Sequence, residues 1–306
     1  MHTPLISVLA ADRLSAGWNR PATGWAIVLA AGWIWSGLLG TVVPAGDADL
    51  LRPCVMRIES EVFTDDDEEP VARSLTLFRD GIAWDFLDKP AGTADAPAGK
   101  PEIVLHDPAR ERVVLIDPGR NIKTQIETIR LERLSVSLSA WARKSDDRLV
   151  QWAGGPDFGA GMEEDEDQNI SLQGPRVRYA VEYSKAPSAE AANAYRRFAD
   201  TALLVKALLH PGGLPPFPRL AINRRVSAAE GIPAQVTLEL ASPAAAFGGR
   251  PRLMRSVHRL HPRLLTEDLK RIEEAEARVA MATAVDLAAF ADPSEVVQVS
   301  ATEAAE

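Results

Sequence analysis

The chain has one cysteine in 306 residues, Cys54, so no intrachain disulfide can staple it. It has five histidines, His2, His106, His210, His258 and His261. His258 and His261 are three residues apart, which in a strand sends them to opposite faces, so both are expected on the surface and no metal site is expected. A His-Glu-x-x-His, a Gly-x-Ser-x-Gly and a Gly-Lys-Ser/Thr phosphate loop are all lacking. No residue set stands out as catalytic, and no cofactor is implied. Positive charge is also short: 34 Lys and Arg against 43 Asp and Glu give a net charge of −9, which argues against nucleic acid as a partner.

Charge is missing altogether from residues 25–43, WAIVLAAGWIWSGLLGTVV. Such a run is long enough to cross a hydrocarbon core of ~30 Å. It lies behind Arg13 and Arg20, so the positive-inside rule keeps the N-terminus cytoplasmic and exports the remainder of the chain. Residues 1–45 are therefore expected to be a signal peptide or an N-terminal transmembrane anchor, and the length favours an anchor. Residues 46–292 are expected to form a β-rich extracytoplasmic domain, in the periplasm or cell envelope, and residues 293–306 a polar disordered tail. Cys54 is preceded by Leu51-Arg52-Pro53, which fits a lipidation site poorly. Two acidic runs, residues 65–69 and 163–167, lack the alternating spacing of a calcium loop and are expected to be solvated loops.

Period-2 alternation marks a strand at residues 54–63. Residues 74–87 read as a hairpin around Asp80-Gly81. Asp107-Pro108 and Asp117-Pro118-Gly119 turn further short strands up to residue 126. A helix is expected over 128–144, a loop over 151–168, and a hairpin over 169–185. Pro187-Ser188 opens a helix running to His210. Strands are expected at 220–226, 234–240 and 253–260, and a last helix at 266–283. This order is α+β, and its simplest form is one curved antiparallel sheet packed on a few helices. Two sheet domains divided near 151–168 are the alternative.

Residues 102–125, EIVLHDPARERVVLIDPGRNIKTQ, resemble a strand pair of the periplasmic lipoprotein-carrier family, through Ile116-Asp117-Pro118 and Lys123-Thr124-Gln125. Residues 77–86, LFRDGIAWDF, are similar to an earlier strand of that family, with Trp84 near its Arg-aromatic pair. The resemblance, over about 54–126, implies an unclosed half-barrel covered by helices, with an apolar cavity that takes acyl chains. The apolar leader, the second acidic run and the helix over 187–210 depart from that family. Phe78, Ile82, Trp84, Phe86, Val104, Val114, Ile116, Ile122 and Ile126 are expected on one face of the sheet. Of these, Phe78, Trp84, Phe86, Val104 and Ile116, with Phe198 and Leu209 of the helix, are the expected ligand-binding residues. Arg225, Arg255 and Arg259 could meet a lipid headgroup. The expected function is binding of a hydrophobic, lipid-like ligand or a lipoprotein or other envelope partner, by a protein tethered to the membrane. An envelope hydrolase and a ligand-free scaffold are the alternatives.

Overall fold

The computed structural model describes residues 54–65, 67–88, 102–166, 169–241 and 252–291. The apolar run 25–43, the Pro-rich loop 89–101 and the tail 293–306 lie outside the described residues. Among the described residues, no helix is long and apolar enough to cross a membrane.

Six strands come first: β1 (Met56–Thr64), β2 (Ala72–Arg79), β3 (Ile82–Asp88), β4 (Glu102–Asp107), β5 (Arg112–Asp117) and β6 (Ile122–Glu127). They form an antiparallel meander in which each pairs with the next. The β2–β3 connection is the two-residue turn expected from Asp80-Gly81. Both residues have positive φ, 54° and 78°, as a turn matching the right-handed strand twist requires. Helices α1 (Thr128–Ala142) and α2 (Arg148–Ala153) come next, then β7 (Met162–Glu164), β8 (Asn169–Gly174) and β9 (Val177–Lys185). Helix α3 (Ala189–Leu209) starts where the Ser188 hydroxyl accepts a hydrogen bond from the Ala191 amide. Helix α4 (Phe217–Ala228), strands β10 (Gly231–Leu240) and β11 (Arg252–His261), helix α5 (Thr266–Met281), strand β12 (Thr283–Ala284) and helix α6 (Leu287–Ala291) complete the described elements.

All twelve strands join one sheet in the order β12-β6-β5-β4-β3-β2-β1-β11-β10-β9-β8-β7. The return of β11 to the free edge of β1 joins the two halves, so the described strands do not divide into two sheets. Only β12 runs parallel to its neighbour. The end strands β7 and β12 do not meet, so the sheet is unclosed.

Both faces of its centre are covered. On one face α3 packs Ala191, Ala192, Tyr195 and Phe198 on Met56, Ile58, Phe78 and Ala83. Leu131 of α1 and Val205 of α3 pack on Val113, Leu115 and Ile126, and Ile222 and Val226 of α4 pack on Val181, Val236 and Leu238. On the other face α5 sets Ile272 and Ala275 on Leu77, Trp84, Phe86, Leu105 and Val114. Burying each large side chain of this kind stabilises by about 1.5–3 kcal/mol. Double coverage explains why Val113 to Ile116 is an unbroken apolar run, all four side chains buried.

Two sequence expectations are corrected here. Residues 220–226 are not a strand but the middle of α4. The β-branched Ile222 and Val226 are buried because they recur at i, i+4 after Pro218, on one helix face, and Pro218 sits where a helix start tolerates it. The stretch 151–168 is not all loop: it holds the end of α2, a 3-10 turn and β7. Glu163 and Glu164 of the acidic run are strand residues. Glu164 accepts a 2.6 Å hydrogen bond from the Tyr183 hydroxyl and a 2.7 Å bond from Arg225 Nε, so Arg225 is an ion-pair partner on α4, not a strand residue.

Candidate ligand groove and buried polar seam

Strand alternation distributes the expected binding residues over two faces. Phe78, Val104, Phe198 and Leu209 lie on the face covered by α1, α3 and α4. Phe78 and Phe198 meet edge to face at 5.7 Å. Trp84, Phe86 and Ile116 lie on the opposite face under α5. The nine apolar residues expected on one face are divided likewise, because Phe78 is opposite Ala83 in the register while Trp84 is opposite Leu77. Phe198 and Phe78 are 8% and 4% exposed, so their surroundings are a filled core.

An open cavity lies on the α5 face. Helix α5 starts over β1, where Arg57 Nε contacts Asp268 at 3.2 Å. It ends over β6, where the Lys123 ammonium donates to the Val279 carbonyl and the Thr283 amide donates to the Asn121 carbonyl. This diagonal crossing leaves the far ends of β1, β2 and β3 uncovered. The resulting groove has a volume of about 650 Å³. Leu75, Phe86, Ile103 and Ala275 give it an apolar lining, and Arg73, Arg259, Arg271 and Arg278 surround it. Residues 271, 274, 275 and 278 recur at helical spacing and form the α5 wall. Arg271 lies 5.7 Å from the centroid of the Phe86 ring.

Two of the carboxylates at the sheet side, Glu59 and Glu61, are held by arginines, whereas Asp88 of β3 lines the groove with no ion pair among the described residues. Glu61 contacts Arg73 at 3.3 Å and Arg259 at 3.2 Å, and Glu59 contacts Arg57 at 2.6 Å. These pairs leave Arg271 and Arg278 without a carboxylate partner among the described residues. Of the three arginines named from sequence, only Arg259 reaches the groove. Arg255 lies over the Phe63 ring at 4.8 Å.

Under α3 and α4 runs a second arrangement, a seam of buried and half-buried polar groups. Thr76 Oγ1 donates to Asp85 Oδ1 at 2.7 Å. Burial pushes the Asp85 carboxyl up to about 6, against the pull of hydrogen bonds from Thr76 and Ser74. His258 has Ser60 Oγ 2.8 Å from Nδ1 and Ser256 Oγ 3.1 Å from Nε2. Burial, aided by the nearby Arg219 guanidinium, pushes this imidazole down to about 3. His258 is therefore not the surface residue expected: it faces the helices, while His261 is exposed on the other face. His106 is buried, where His258 is half-buried, and is pushed down to about 4 by burial and by Arg197. A serine beside a histidine suggests a hydrolase, but among the described residues no carboxylate contacts His258, and an imidazole near 3 is a poor base at neutral pH. The seam specifies structure instead. Among the described residues no cluster of His, Cys, Asp and Glu could hold a metal ion.

No family model matches the chain, and no curated protein matches it. Among solved structures it is similar to a LolA superfamily protein from Nitrosomonas europaea, with 10% identity and a TM-score of 0.27. The likeness covers 73% of this chain and 93% of that one. At so low a TM-score no residue role passes from one chain to the other.

Proposed function

We propose that this is an extracytoplasmic, membrane-tethered protein that binds an amphipathic lipid-like ligand in the groove between α5 and the ends of β1–β3. The observation that carries the reading is the groove's division of labour. An apolar floor of Leu75, Phe86 and Ile103 suits an acyl chain, and Arg271 and Arg278 stand at its edge with no carboxylate partner among the described residues. A guanidinium offers planar, paired donors to a phosphate or carboxylate headgroup. The volume of about 650 Å³ is within the range of small-molecule sites. Glu59 and Glu61 are ion-paired, which leaves them to shape the groove rather than to exchange protons in it. The location rests on the uncharged run 25–43 behind Arg13 and Arg20.

The test is titration of the protein with an environment-sensitive fatty-acid probe, and then displacement with anionic and zwitterionic single-chain lipids. Saturable binding is expected. Arg271→Ala with Arg278→Ala should weaken the anionic competitor more than the zwitterionic one. A parent protein that shows no saturable probe binding would overturn the proposal.

A further inference from the structure

Helix α1 carries an outward face that the core does not use. It buries Leu131 and Ala142. On its opposite side residues 129, 133, 136, 140 and 143 recur at i, i+4, i+7, i+11 and i+14, one continuous stripe. Ile129 and Val136 of that stripe are 45% and 72% exposed, and Trp141, about 120° round the helix from the stripe, is 42% exposed. Three of the seven large apolar side chains exposed among the described residues thus sit on this one helix. Cations are interleaved with them. Arg130, Arg133, Arg143 and Lys144 face a single acid, Glu132, so residues 128–144 carry four positive charges and one negative, +3 net, in a chain whose net charge is −9. None of the four cations has a carboxylate partner among the described residues.

The geometry points to α1 as a docking face for an anionic bilayer surface. Exposed aliphatic side chains, with a tryptophan on the flank and cations that have no carboxylate partner among the described residues, are what an interfacial helix offers: apolar groups enter the headgroup boundary while cations meet anionic lipid. The topology favours this occupant. The pairs Met56 with Phe78, Ala83 with His106, and Arg112 with Glu127 place the start of β1 and the start of α1 at the same end of the sheet. They are separated by five strand spacings, roughly 24 Å. Ten residues, 44–53, join the uncharged run to Cys54, and such a segment spans at most ~35 Å. A chain tethered by residues 25–43 therefore keeps this end of the sheet near the bilayer. That reach argument rests on the proposed tether; the composition of the helix face does not.

The test uses the full chain with Cys54→Ser and a single reporter cysteine, Val136→Cys, labelled with a polarity-sensitive dye. The protein is reconstituted into vesicles of phosphatidylcholine alone or containing phosphatidylglycerol. The same dye on Lys270→Cys of α5, on the other face of the sheet, is the control. The dye at 136 is expected to shift to the blue and to be quenched by lipid-borne quenchers only in the anionic vesicles, with the dye at 270 unchanged. Arg133→Glu, Arg143→Glu and Lys144→Glu together should weaken this docking by about a hundredfold or more and return the dye to water. A dye at 136 that stays in water on anionic vesicles while the protein floats with them overturns the docking face and leaves the tether standing. Failure to float with neutral vesicles overturns the tether, and the anionic vesicles then still decide the helix. A dry dye without vesicles means that another part of the chain or a second copy covers the face, which also overturns the proposal.

Discussion

Acid should destabilise this protein well above the pH at which carboxylates usually protonate, and His258 gives the sharpest form of that expectation. Its folded-state value is pushed down to about 3 from an ordinary 6.5. A base with a depressed folded value binds fewer protons folded than unfolded. Its stabilisation is present above the unfolded value and is lost as pH falls toward the folded one. Between pH 7 and pH 5 this amounts to about 2 kcal/mol for His258. His106, pushed down to about 4, adds a loss of about 2 kcal/mol over the same interval. Asp85 acts in the opposite sense: with its folded value raised to about 6, the folded state takes up a proton first and gains about 1 kcal/mol. The net loss is roughly 2–3 kcal/mol, a sizeable share of a typical domain's stability. Urea denaturation at pH 7 and pH 5 measures it, for the parent and for His258→Gln. The variant should lose about 2 kcal/mol less than the parent between the two pH values. Equal pH dependence in the two proteins would refute burial of a neutral imidazole at this position.

The other expectations are more local. Phe198→Ala should cost about 3–5 kcal/mol, because the ring is enclosed by Phe78, His106 and the α3 contacts; a loss below 1 kcal/mol in thermal or urea unfolding would mean that this face is open. Glu164→Ala should lower the Tyr183 phenol from its raised value of about 12, since the hydrogen bond to Glu164 is the main cause of the rise, and ultraviolet titration reads it directly. The same substitution should change stability by less than about 1 kcal/mol, because the Arg225 pair is solvent-exposed. A reporter fused after Glu306 should be active only outside the cytoplasm, and cytoplasmic activity would contradict the export reading of residues 25–43.

Much of the architecture was readable because local chemistry and global fold agree. Asp80-Gly81 supplies the two positive φ values of the β2–β3 turn, and Ser188 caps α3, so both elements announce themselves. Helix α4 was hidden because Ile222 and Val226 are β-branched and four apart, a spacing that fits a strand's even period as well as a helix's face. The faces of β2 and β3 follow from the Asp80-Gly81 turn, which pairs Phe78 with Ala83 and Leu77 with Trp84 and so sends Phe78 and Trp84 to opposite sides. Those of β5 were unreadable, because helices cover both sides and Val113 to Ile116 carries no polar residue to fix parity. The groove is made by a diagonal crossing of α5, which no local pattern encodes. Its arginines, Arg271 and Arg278, were visible only as two positions seven apart on an amphipathic helix. His258 looked like an ordinary strand residue, and only the serines opposite and beside it, Ser60 and Ser256, mark its polar burial.

The most direct measurement of the central claim is probe affinity before and after the groove is blocked. Glu274 lines the α5 wall and is exposed, so Glu274→Trp fills the cavity without touching the core. The parent should bind a fluorescent fatty acid saturably, and Glu274→Trp should raise the dissociation constant by about tenfold or more, or ~1.4 kcal/mol, at unchanged stability. Equal affinity in the two proteins would contradict the assignment of the ligand to this groove.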